Sequence, residues 1–237
     1  MTRPARAALF AAIDATWPAA SIESVPGWTI RRGDGGGNRV SAATAADTSA
    51  DIKTMEAVQT ALGQRPLVMV RPGETGLDAR LEAAGYRVKD PVVLLVAPAA
   101  MLAQAPPPVS TFHVAWPPVQ IQYEIWQEGG IGPARWAVMD RVANPRTALL
   151  GRVNDRPAGT AFAAIHDGIA MVHAVEVCPD LRRLGTARHM MQAAAIWAVA
   201  QRAPWLAVLV TRANAPARAL YASLGLEPVE EYHYREK

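Results

Sequence analysis

Cysteine is almost missing from this chain: Cys178 is the only one in 237 residues. A disulfide within the chain is therefore excluded, and a reducing, cytoplasmic setting is the expectation. The five histidines are scattered and show no His-Glu-x-x-His or comparable ligand spacing, so no metal site is expected. No apolar run approaches the length of a membrane span. The early apolar run breaks at Asp14, too soon for a signal peptide. The Gly-x-Ser-x-Gly elbow of hydrolases is absent, as are the Gly-Lys-Ser/Thr of the Walker loop and Gly-x-Gly-x-x-Gly. The net charge of +3 is spread thinly over both halves, which argues against a nucleic-acid surface.

The most telling absence is local. From Leu181 to Leu226 there is no Asp or Glu, yet six arginines stand there. Ahead of this stretch, residues 168–177 are largely apolar and rich in β-branched side chains, which reads as a buried strand. Pro179 cannot donate to a ladder and ends it. Arg182-Arg183-Leu184-Gly185-Thr186-Ala187 follows, with Gly185 permitting a tight turn. From Leu184 the apolar positions Leu184, Ala187, Met191, Ala194, Ala195 and Ala198 recur at helical spacing, ending near Arg202. Strand, glycine turn and helix in that order place free N–H groups and a positive dipole end where a phosphate or pyrophosphate can sit. Taken alone, the turn fits a helix simply packed on a sheet, with arginines on its wet face, better than a phosphate site.

In context the segment resembles the GNAT superfamily of acyl-CoA-dependent N-acyltransferases. Its main signature, Arg/Gln-x-x-Gly-x-Gly/Ala after a strand ending in Val-x-Pro, is matched by Val177-Cys178-Pro179 and Arg182 to Ala187. A second signature, Asn-x-x-Ala-x-x-Leu-Tyr-x-x-x-Gly-Phe, is matched from Asn214 to Leu226, with Leu226 in place of Phe. The resemblance covers roughly residues 119–237. It implies an α/β (α+β) fold with a mixed, mostly antiparallel sheet flanked by helices, and acetyl-CoA as cosubstrate. Backbone amides from Leu184 to Ala187, with Arg182 and Arg183 adding charge, would hold the pyrophosphate. Val175 and Val177 would pair with the pantetheine arm as an added strand does. Asn214 and Ala217 would contact the cosubstrate. Tyr221 would protonate the departing thiolate, a step open to a phenol of pKa about 10 facing a thiol of about 8.5.

Amine acylation also needs a base, and Glu176 and His173 are the candidates. Strand alternation puts them on opposite faces unless a bulge intervenes. Burial of Glu176 would suit it to the task, whereas an internal ion pair with an arginine is the competing role. The acceptor, a small-molecule or peptide amine, would lie between the early helices of this half and a C-terminal strand carrying Tyr232, His233 and Tyr234. Residues 126–133 read as a flexible entrance to a helix at 133–142. Glu128 there suits a cationic amine and Arg135 a carboxylate, two suggestions that conflict.

The chain divides on sequence into a first unit at 1–97, a Pro/Ala-rich semi-rigid connector at 98–108 and a catalytic unit at 109–237. The first unit is expected to hold a helix at 5–16, strands near 27–32 and 39–44, a helix at 49–62, a strand at 67–70, a helix at 75–84 and a strand at 86–96. It echoes the second. Val70 to Gly85 and Val210 to Gly225 are the same distance apart, and Leu81 stands where Tyr221 does. No Arg-x-x-Gly-x-Ala turn precedes the helix at 49–62, so a degenerate, inactive GNAT-like repeat is expected. Gly35-Gly36-Gly37 reads as a hairpin turn rather than a phosphate loop. The principal alternative is a non-catalytic acyl-CoA-binding or partner-binding module. It would keep the turn without needing Tyr221.

Overall fold

The computed structural model describes residues 2–143 and 145–237. The first half begins with α1 (Arg6–Thr16), β1 (Ser21–Val25), β2 (Trp28–Arg32), the short α2 (Asn38–Ser41) and β3 (Thr44–Ala45). It continues with α3 (Ile52–Ala61), β4 (Leu67–Val70), α4 (Thr75–Ala83), β5 (Arg87–Pro98) and α5 (Ala99–Ala103). The second half follows with β6 (Thr111–Ala115), α6 (Gln120–Glu128), α7 (Pro133–Asp140), β7 (Arg146–Val153), β8 (Arg156–His166) and β9 (Ile169–Val177). It closes with α8 (Thr186–Ala200), β10 (Trp205–Thr211), α9 (Ala215–Ser223) and β11 (Glu227–Glu236).

Eight strands form one sheet in the order β4-β11-β5-β10-β9-β8-β7-β6. All neighbours are antiparallel except β9 and β10. A three-stranded meander, β1-β2-β3, joins it through a parallel bridge between Ala43 and Val68. The halves therefore interlock: β5 of the first half lies between β10 and β11 of the second. The pairing is also symmetric. Val70 opposes His233 as Val210 opposes Val93, and Leu67 opposes Glu236 as Ala207 opposes Val96. The repeat seen in the spacing of Val70, Gly85, Val210 and Gly225 is thus a repeat of β–α–β units about a local twofold axis.

One face of the sheet carries α5, α8 and Tyr221 of α9 on Val93, Leu95, Val172, Val208 and Val210. Further along this face, Leu77 and Leu81 of α4 and Met55 of α3 cover Val68 and Val70. The other face carries α1 on Met69, Val92, Leu94, Met171, Tyr232 and Tyr234, and α6 and α7 on Ala148, Phe162 and Ala164. Burial of these side chains is the main stabilising term, at about 25 cal/mol per Å² of apolar surface.

Several sequence expectations shift. The strand near 39–44 is the helical turn α2 followed by a two-residue strand. Part of the expected connector is α5, whose Ala99 and Leu102 are buried. Trp126 is a fully buried member of α6 rather than part of an open entrance. Leu184 precedes α8 and is exposed, while Met190, Met191, Ala194, Ala195 and Ala198 make its core stripe. The glycines at 35–37 do not turn a hairpin. They let the chain press onto α7, where a methyl group on Gly36 would lie 2.6 Å from Val138 Cγ2.

Candidate active site

The parallel strands β9 and β10 pair only from Ile169–Trp205 to Val172–Val208, then part although both continue. The cause lies in β9. Phe162 opposes His173 but Thr160 opposes Glu176, so two residues, Ala174 and Val175, face Ala161 alone. Ala174 takes a positive φ of 50°, the conformation of a bulge residue. The indole N–H of Trp126 donates to the Ala174 carbonyl at 2.8 Å and fixes the bulge. The bulge reverses side-chain parity. Val175 and Val177 turn to the α8 side. Glu176 turns to the α6 side, where a methyl group on Gly129 would lie 2.5 Å from its Cδ. His173 stacks on Phe162 on that same side, so the two base candidates share a face.

The turn after β9 lies across the opening. Pro179–Leu181 makes one 3-10 turn, Arg183 has φ 67° and Gly185, the residue before α8, has φ 87°. Among the described residues no side chain caps this helix, so its first-turn N–H groups remain available to an anion. Gly151 and Gly159 let α8 approach closely, since a methyl on Gly151 would meet Thr186 Cγ2 at 2.7 Å. Thr186 Oγ1 is buried without a hydrogen-bond partner among the described residues. Arg188 Nη2 donates to Ser223 Oγ at 2.7 Å and ties α8 to α9. Across the opening, Asn214 caps α9 by accepting from the Ala217 N–H at 3.1 Å. Tyr221 is buried on the α8 side, and desolvation pushes its hydroxyl up to about 12. The phenol thus stays protonated at neutral pH.

His173 is held from both ring nitrogens. Arg39 Nη1, from the first half, lies 2.9 Å from Nδ1, and Thr16 Oγ1 lies 2.9 Å from Nε2. Arg39 can only donate, so Nδ1 is the acceptor. Nε2–H then donates to Thr16, whose hydroxyl in turn donates a hydrogen bond to the Ala12 carbonyl at 2.6 Å. Burial, reinforced by the Arg39 charge, holds His173 well below its usual range. Its one lone pair already faces a cation, which leaves it poorly placed to collect a proton. Glu176 has a partly accessible carboxylate, and the ion pair anticipated as its competing role is present: Arg182 Nη2 lies 3.2 Å from Oε1.

The remaining expected residues divide. Tyr232 and Tyr234 are buried on the α1 side beside Phe10, whereas His233 points the other way and bonds Asp78 of α4 at 2.9 Å. Arg135 of α7 lies beside Gly37 of the first half, and Glu128 ends α6 on the surface. Arg39, Thr16 and the indole of Trp126 were not legible as site residues, because their partners lie 134, 157 and 48 positions away. The close-packing glycines 129, 151 and 159 were equally silent. Among the described residues no group of three or more His, Cys, Asp or Glu side chains could hold a metal. Among them, no helix is long and apolar enough to cross a membrane.

A mostly antiparallel sheet with one parallel pair, splayed at a bulge over an uncapped helix, defines the GNAT class of fold. Residues 109–226 match the family model of the acetyltransferase (GNAT) family, and over that stretch the chain belongs to it. Among solved structures, a GCN5-related N-acetyltransferase from Kribbella flavida is similar at a TM-score of 0.70 and 17% identity, covering 98% of this chain and 93% of its own. A conserved protein of unknown function from Staphylococcus epidermidis aligns at 0.69 and 12% identity, over 94% and 96% of the two chains. A tandem GNAT protein from the clavulanic acid biosynthesis pathway aligns at 0.57 and 15% identity, over 77% and 66%. No curated protein matches the chain.

Proposed function

We propose that the chain is an acetyl-CoA-dependent N-acetyltransferase that moves the acetyl group to a primary amine by direct attack. The observation that carries the reading is the opening between β9 and β10, which ends on the uncapped N-terminus of α8. The first-turn amides and the turn from Leu184 to Ala187 would receive the diphosphate, with Arg182 and Arg183 adding charge. The edge of β9 that faces the opening, at Val175 and Val177, would pair with the pantetheine arm.

The chemistry then follows from what surrounds that edge. The amine nitrogen attacks the thioester carbonyl, and its proton passes through water to Glu176. The developing oxyanion is held by a backbone N–H near Val177. As the carbon–sulfur bond breaks, the sulfur takes the proton of Tyr221, giving amide and free thiol. Holding both reactants in one groove supplies much of the rate. The acceptor is a small-molecule or peptide amine, approaching from the face of α1, α6 and α7. The first half is a degenerate GNAT-like unit whose role is to complete the sheet and wall that face.

An acceptor-library screen with thiol release as readout tests this. Acetyl-CoA-dependent release with at least one class of primary amine is the expected result. CoA binding without release for any amine would leave only a binding module.

A further inference from the structure

Three contacts close a ring at the edge of β9. Glu176 Oε1 accepts from the Val177 N–H at 3.3 Å and from Arg182 Nη2 at 3.2 Å, and Arg182 Nε donates to the Val177 carbonyl at 3.1 Å. Bonding residues alternate along an antiparallel ladder. The Cys178 N–H bonds the Ala158 carbonyl, so the N–H and C=O of Val177 face away from β8 and into the opening. Both backbone groups that an added strand would use there are therefore occupied, by a carboxylate and a guanidinium of the same chain.

The two side chains differ in what holds them. Glu176 is only 19% exposed and wedged against Gly129, whereas Arg182 is 57% exposed. Arg182 also begins the turn that leads to Gly185. A diphosphate seated on that turn offers the guanidinium more negative charge and bidentate geometry than one carboxylate does. An ion pair with one partner this exposed is weak enough to be exchanged.

We infer that Arg182 is a positioning residue. It clamps Glu176 onto Val177 while the groove is empty, and a diphosphate draws it away. The pantetheine edge and the base carboxylate then become available in one step, which makes loading of the cosubstrate the condition for accepting the amine proton. This inference rests on the acyltransferase reading above, and it adds an order of events to it.

The clamp predicts opposite effects of one substitution on two ligands. Calorimetric titration of the full-length protein with CoA and with pantetheine, which lacks the diphosphate, reads both. Pantetheine cannot attract Arg182, so Arg182→Gln should tighten pantetheine roughly two- to fivefold, the scale of an exposed ion pair. The same substitution should weaken CoA by a similar or larger factor. Glu176→Gln, which releases the guanidinium without removing it, should tighten both. Pantetheine that binds Arg182→Gln no better than the unsubstituted protein, including binding detectable in neither, overturns the clamp. So do equal losses for both ligands, which a purely structural role would give. CoA that binds no variant and not the parent removes the acyltransferase reading itself, and the clamp with it.

Discussion

The two halves of this molecule place a β–α–β unit on either side of a local twofold axis, and they differ most at the start of one helix. In the second half α8 begins at Gly185 in a left-handed turn with no side-chain cap. In the first half α3 begins at Asp51, whose carboxylate accepts from the N–H groups of Lys53 and Thr54. Asp47 lies just upstream and accepts from Ser49. One helix end is left open to an outside anion, and the other carries its own. The next helices repeat the contrast. Tyr221 of α9 faces the core with a desolvated hydroxyl, and Leu81 occupies the matching place in α4 as an ordinary buried side chain. The same β–α–β frame thus carries an uncapped helix start in one half and a side-chain-capped one in the other.

The comparison breaks most severely if the halves are separated. Removing residues 1–98 takes away β4 and β5, leaving β10 and β11 with no strand between them. The remaining fragment should show no cooperative melting transition by circular dichroism. A folded fragment that binds CoA would show that the second half is self-sufficient.

Next in size is the contrast between Tyr221 and Leu81. Tyr221→Phe should lower turnover by about a hundredfold or more while CoA affinity stays unchanged. Thiol-release kinetics and calorimetry separate the two quantities, and unaltered turnover would remove Tyr221 from the acid role. At the helix ends, Gly185→Ala forces a side chain into a left-handed conformation at a cost of about 1–2 kcal/mol, and its methyl would meet His189 Cε1 at 3.1 Å. It should weaken CoA as well as lower Tm. Asp51→Ala should lower Tm by a few degrees through loss of its cap and leave CoA affinity intact.

The smallest effect concerns His173, where the halves touch through Arg39. Its folded pKa is depressed, so the unfolded chain binds its proton first as pH falls through about 6.5. Stability from this group is complete above that pH and declines below it, by up to about 1.4 kcal/mol per pH unit until the folded pKa is reached. Denaturant titrations from pH 7.5 to 5 should show the slope, and His173→Asn should flatten it. A slope unaltered by the substitution would mean that the ring is not held neutral by its burial.

Much of this contrast was legible in the chain itself. Arg182 to Ala187 and Asn214 to Leu226 marked the turn, the helix and the tyrosine, and the spacing of Val70, Gly85, Val210 and Gly225 marked the repeat. These signals are local, since each sits within one turn or one helix. What escaped was long-range. Alternation along β9 left Glu176 and His173 on opposite faces, and only the bulge at Ala174, an alanine with no glycine to announce it, brings them to one face. The Pro/Ala-rich composition at 98–108 reads as a linker, and the insertion of β5 between β10 and β11 escaped because strand pairing leaves no mark on composition. The Arg39–His173 contact is invisible for the same reason.

The central claim is that only the second half is open to a polyanionic cosubstrate. A calorimetric titration of the full-length protein with acetyl-CoA tests it directly, alongside Gly185→Ala and Asp51→Ala. The account predicts one site per chain, weakened by the substitution at α8 and untouched by the one at α3. Absence of saturable binding, two sites per chain, or dependence on Asp51 would contradict it.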